Sequence, residues 1–118
     1  MGCGLSMRLE KLTVVYASWC PNCPPAVRAV EHLGRELRVH TEKLDIDNDA
    51  DYDRAIHLVE NFGEDQGDTF LVPQVFATYE GGSVFHVVTG RGFARLKDDE
   101  AENKIENELR AISGGRTS

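Results

Sequence analysis

Leu12-Thr13-Val14-Val15-Tyr16-Ala17 runs directly into Ser18-Trp19-Cys20-Pro21-Asn22-Cys23-Pro24-Pro25, and the reading of the whole chain turns on this junction. The first six residues are β-branched, aromatic and nearly continuous in apolarity, as in a strand buried on both faces. Beyond the prolines, Ala26, Val27, Val30, Leu33 and Leu37 recur at helical spacing, with Arg28, Glu31 and Arg35 on the opposite face. Pro24 and Pro25 suit the start of that helix, because the first turn has no intrahelical acceptor for an N–H. The junction predicts the first half of a βαβ unit with two cysteines at its join.

Working outward, Val39 to Asp47 reads as a second strand, with Val39, Thr41, Lys43 and Asp45 on one side. Asp49 and Asp51 then stand where a helix N-terminus favours carboxylates. Tyr52, Ala55, Ile56, Val59 and Phe62 give a helical stripe that stops before Gly63. Glu64 to Thr69 is a polar loop, and Val72-Pro73 leads into a strand over Gln74 to Tyr79, where proline is tolerated because it comes first. Glu80-Gly81-Gly82 is a hairpin turn and Ser83 to Thr89 its partner strand. Gly90-Arg91-Gly92 breaks the pattern. Ala101, Ile105, Leu109 and Ile112 mark a last amphipathic helix with an acidic start at Asp98, Asp99 and Glu100. The expected order is β-α-β-α-β-β-α. Its first two strands are parallel across a crossover helix and its last two antiparallel, which gives an α/β fold with a mixed four-stranded sheet flanked by helices.

The 118 residues make one domain, 1–118, with a core over about 9–112. Hydrophobic residues at 41% and charged residues at 28% are globular proportions, which excludes a disordered chain. No apolar run approaches the roughly 18 residues of a spanning helix. The formal net charge of -7 repels phosphate backbones, and no compact basic run overrides it, so nucleic acid is not an expected partner. Three cysteines are too few for a secreted disulfide scaffold, and Met1 to Lys11 lacks the apolar core and cleavage site of a signal peptide. A reducing, cytoplasmic setting is the expectation. Two of the three cysteines then need a chemical reason.

Cys20 and Cys23, three residues apart at a helix start, lie one turn apart on one side, so their sulfurs approach bonding distance. Free N–H groups and positive potential there favour the thiolate at Cys20, the attacking species, and Cys23 one turn deeper can resolve the mixed disulfide. A bare C-x-x-C is also half of a zinc site. Its place between a buried strand and a helix is what favours redox chemistry.

These residues carry a family resemblance. Trp19-Cys20-Pro21-Asn22-Cys23 after a hydrophobic strand, with Val72-Pro73 opening the third strand, resembles the thioredoxin superfamily over roughly Leu9 to Ile112. The Cys-Pro-x-Cys form followed by proline is similar to glutaredoxin-like members and to the units of archaeal protein disulfide oxidoreductases. The resemblance implies a thioredoxin-like fold and a thiol:disulfide oxidoreductase acting on protein disulfides. Cys20 would be the nucleophile and Cys23 the resolving thiol. It further implies a cis Pro73 facing the pair and a backbone at Val72 that pairs with the substrate chain. Trp19, Pro21 and Asn22 would border the groove. No bound cofactor is implied, because the dithiol carries two electrons, and a flavoprotein of thioredoxin-reductase type would renew it. A monomer is expected.

The departures are specific. Thioredoxins carry a buried Asp six residues before the first cysteine, where this chain has Val14, while the neighbouring lysine of the second strand is matched by Lys43, a proton-transfer neighbour by that likeness. The glutathione-gripping pattern of glutaredoxins, Thr-Val-Pro and a Gly-Gly turn ahead of Asp, is replaced by Leu71-Val72-Pro73 and Gly90-Arg91-Gly92, with Asp98 and Asp99 further on. The stretch from Asn61 to Leu71 is long for its place, and the expectation is that it lies beside Pro73 and helps select partners.

Other signals weigh less. Cys3, Cys20, Cys23 and one of His32, His40, His57 or His86 would make four zinc ligands, but no second C-x-x-C or close Cys/His pair supports them. Asp49, Asp51, Asp53 and Glu60 fall on calcium-loop positions, but Arg54 occupies the place of the required glycine. Met1-Gly2-Cys3-Gly4-Leu5-Ser6 fits an acylation pattern at Gly2 and Cys3, a membrane tether only in a cell that has the transferase. The alternative to an oxidoreductase is a redox-inert binding module that docks a partner at Pro73.

Overall fold

A computed structural model describes residues 8–20, 23–63, 65–66, 69–70, 72–89 and 97–111. Strand β1 (Leu9–Tyr16) is followed by helix α1 (Cys23–Leu37), β2 (His40–Asp45) and α2 (Asp49–Phe62). After these come the two-residue strands β3 (Asp65–Gln66) and β4 (Thr69–Phe70), then β5 (Gln74–Tyr79), β6 (Val84–Thr89) and α3 (Asp98–Arg110). The main sheet has the order β2-β1-β5-β6. β1 runs parallel to β2 and antiparallel to β5, and β5 runs antiparallel to β6. The expected mixed four-stranded sheet flanked by helices is therefore observed.

Leu12, Val14 and Val15 of β1 are fully buried, because this central strand is covered on both faces. On one face Leu12, Val14, Val75 and Ala77 pack against Val30 and Leu33 of α1 and Ala101 and Ile105 of α3. On the other, Val15, Leu44 and Phe76 meet Ala55, Leu58 and Val59 of α2. A single buried Leu or Phe at such a position contributes about 1.5–3 kcal/mol. The two-sided core thus fixes β1, and with it the place where β1 ends.

Two local expectations are corrected. The polar loop over Glu64 to Thr69 contains a small hairpin, in which Asp65 pairs with Phe70 and Gln66 with Thr69. Two-residue strands carry no alternation to read, so composition alone suggested a loop. The α2 stripe also differs. Leu58 is buried, whereas Tyr52 and Phe62 are exposed at 41% and 42%. Helix α1 is described from Cys23, with Cys20 ahead of it.

Asn48 caps α2, its Oδ1 accepting the Asp51 N–H at 3.1 Å, and Asp49 and Asp51 lie in the first turn as expected. This continuous helix leaves no calcium loop over Asp49 to Glu60. Gly63 ends α2 with φ -104, an ordinary backbone, so its glycine answers to space instead. An added Cβ would stand 2.5 Å from Gln74 Oε1 and 2.8 Å from Phe76 Cζ. Gly81 and Gly82, at φ 93 and 91, supply the β5–β6 turn that residues with side chains rarely adopt. No helix among the described residues is long and apolar enough to cross a membrane.

Candidate functional site at the end of the central strand

β1 ends at Tyr16, whose carbonyl accepts the Ile46 N–H at 3.0 Å, and the chain then turns toward α1. The Cys20 N–H donates to Ala17 O at 3.2 Å and the Cys23 N–H to Cys20 O at 3.4 Å, so two short turns carry both cysteines across the join. Both are free thiols and both are buried, Cys20 with 6% of its surface exposed and Cys23 with 1%. With Ala17 they form a small cluster against Tyr16, Ile46 and Val72.

Val72, 52 residues on from Cys20, precedes the strand β5 that pairs with β1. Its carbonyl accepts from Cys20 Sγ at 3.8 Å, and the Val72-Pro73 peptide is cis. The structure therefore brings Cys20, Cys23 and Val72 together, with Pro73 buried next in the chain. Trp19, beside Cys20, is 65% exposed and lies outside the core. Pro21, Asn22, Leu71, the Gly90-Arg91-Gly92 run, the N-terminal Gly2 and Cys3, and Ile112 lie outside the described residues.

Burial pushes the Cys23 thiol up, reinforced by its hydrogen bond to Cys20 and by the charge there, against a lowering contact with the Ala17 backbone, and it reaches about 12. Cys23 keeps its proton at neutral pH. Beside it, Tyr16, Ala17, Ser18, Pro24 and Val27 line an apolar cavity of about 250 Å³.

Lys43 lies elsewhere. It pairs in register with Val14, but its ammonium is exposed and held by Glu31 Oε2 at 2.7 Å, with Tyr16 the other group that raises its affinity for protons. Neither cysteine is among its partners. Val14 itself is fully buried. Sequence reasoning passed over Gln74, a fully buried polar side chain immediately after Pro73, although a lone amide in the apolar run Val72 to Ala77 is a readable signal. Among the described residues, the metal-ligating side chains that converge are His32, Glu36 and Glu102, a group that includes neither cysteine.

No protein-family model and no curated protein matches the chain. Among solved structures, one described as a malarial protein is similar, with a TM-score of 0.50 and 13% identity, over 86% of this chain and 98% of that one. That likeness concerns the fold alone.

Proposed function

We propose that the chain is a thiol:disulfide oxidoreductase with a thioredoxin-like fold, exchanging a Cys20–Cys23 dithiol for the disulfide of a protein substrate. The observation that carries this is the meeting of two buried free thiols with the Val72 carbonyl, 3.8 Å from Cys20 Sγ, at the cis Val72-Pro73 peptide. A backbone carbonyl beside the reacting sulfur gives an extended substrate chain a hydrogen-bond partner, with Trp19, Pro21, Asn22, Val72 and Pro73 bordering the groove.

The Cys20 thiolate attacks one sulfur of the substrate disulfide, the S–S bond breaks, and the departing sulfur leaves as a thiolate that takes a proton. Cys23 then loses its proton and attacks Cys20 Sγ, which breaks the mixed disulfide and releases the second substrate thiol. Two electrons pass to the substrate, and the Cys20–Cys23 disulfide forms. With Val14 where thioredoxins have a carboxylate, and with Lys43 held by Glu31, the Cys23 proton passes to water or to the departing thiolate. The dithiol needs no bound cofactor, and a thioredoxin-reductase-like flavoprotein returns it to the reduced form. The reading places the protein as a monomer in the reducing cytoplasm, and run in reverse the same step oxidises a substrate.

One observation favours the alternative of a redox-inert binding module, which is how little of either thiol reaches solvent. Equilibrating the protein across a dithiothreitol series, alkylating and weighing the products separates the two. A reversible two-electron step confined to Cys20 and Cys23 is the expected result. A pair that never closes, or that closes only with Cys3, leaves the binding module.

A further inference from the structure

The end of the sheet opposite the cysteines holds a feature that no short stretch of sequence announces. An open groove of about 570 Å³ lies where β1 and β2 begin and α1 ends, and Arg8, Lys11, Arg38 and His40 line it together with Glu10. Lys11 is shared with Glu42 at 3.2 Å. Among the described residues, no hydrogen bond or ion pair engages the side chains of Arg8, Arg38 or His40. In a chain of net charge -7, with 20 acids against 13 Lys and Arg, two unpaired guanidiniums and an imidazole converging on one groove stand apart.

Arg38 marks the turn from α1 into β2. It follows the last residue of α1 with φ 58, in the left-handed region, and is the non-glycine residue with positive φ among the described residues. Glycine is the usual residue at that position. Charge at the helix C-terminus does not account for it, because Arg35 already supplies a cation in the last turn. The Val39 N–H to Gly34 O bond at 3.0 Å closes the end of α1 and requires the left-handed backbone at Arg38, which leaves its unpartnered guanidinium beside a groove lined by other cations.

We propose that this groove binds a compact oxyanion, a phosphate ester or pyrophosphate group, held by Arg8 and Arg38 and flanked by Lys11 and His40. Guanidinium groups offer paired N–H donors that match phosphoryl oxygens. The groove has the volume of a small-molecule site, and the net negative charge of the chain repels an extended polyanion. The proposal does not depend on the thiol chemistry.

The test is amide chemical-shift titration of the full chain with inorganic phosphate and pyrophosphate, at ionic strength held constant with chloride. Saturating shifts confined to residues around Arg8, Lys11, Arg38 and His40 are expected. Arg8→Ala should weaken binding roughly tenfold, the weak end of a charge-assisted hydrogen bond. Arg38→Gly should weaken it as much while raising the thermal midpoint, because glycine relieves the positive φ. A purely structural Arg38 would not separate those two readouts. Vesicles of phosphatidylglycerol in phosphatidylcholine form a second arm, and binding there that both variants lose assigns the phosphoryl group to a lipid headgroup instead of a free ester. No saturating shift in either arm, or shifts that survive in both variants, overturns the proposal.

Discussion

At Cys23, burial outweighs every other influence on the thiol, and the move from 9.0 to about 12 leaves roughly a thousandfold less thiolate at neutral pH. Limited treatment of the reduced protein with iodoacetamide at about pH 8, followed by peptide mapping, should therefore leave Cys23 unmodified long after a free cysteine has reacted. Labelling of Cys23 at the free-cysteine rate would refute burial as the controlling cause. The same shift acts on stability. A thiol whose affinity for its proton is higher in the folded than in the unfolded chain stabilises the fold fully below about 9, and that contribution is lost as pH rises toward about 12. Cys23→Ser removes the ionisation, so urea midpoints of the two proteins should change relative to each other through that window and run parallel below it. Cys20 and Cys23 were legible in the sequence from their spacing at the strand–helix join, and Val72 and Pro73 from the resemblance alone. Gln74 and Asn48 were not singled out, since a buried amide and a cap are defined by neighbours that only the fold supplies.

The elements were legible to the extent that their burial is periodic. β1, α1, β5 and α3 follow from apolar spacing, because each turns one face or both toward the core. The β3–β4 hairpin depends on backbone hydrogen bonds, which apolar spacing does not encode. Gly63 shows how one residue type answers to different physics. At the end of a helix glycine suggests a left-handed cap, yet here it makes room for Gln74 and Phe76. Gly63→Ala should accordingly destabilise the protein by about 1–3 kcal/mol, the cost of overpacking, since the Phe76 ring is fully buried and cannot swing away. A neutral or stabilising result in chemical denaturation would mean that α2 shifts freely against β5. Asn48→Ala should cost about 1 kcal/mol and Asn48→Gly only a few tenths, because glycine still suits the cap.

On the scale of the whole molecule, the same sheet builds two poles, with the cysteines where β1 ends and the basic groove where it begins. The groove escaped sequence reasoning because its basic side chains come from two stretches, Arg8 with Lys11 and Arg38 with His40, that meet only when β1 and β2 pair. Between the poles, Glu42 of β2 clamps three elements together. Its carboxylate accepts from Arg54 of α2 at 2.6 and 3.0 Å, lies 3.2 Å from Lys11 Nζ of β1, and accepts from Thr13 Oγ1 at 3.1 Å. Burial opposes its charge, but Arg54 first and then Lys11 outweigh burial and hold the carboxyl below its ordinary value of 4.5. A carboxylate lowered in this way stabilises the fold above its unfolded value, and the contribution is lost as pH falls through the folded one. Glu42→Gln should cost about 1 kcal/mol at neutral pH, the upper range for partly exposed pairs. The gap in urea midpoint between the two proteins should close below about pH 4.5 and narrow with added salt, because the substitution removes a charge that acid also removes. A gap that persists undiminished in acid would show that Glu42 acts through shape and its neutral hydrogen bond to Thr13, and not as the charge that ties β1, β2 and α2 together.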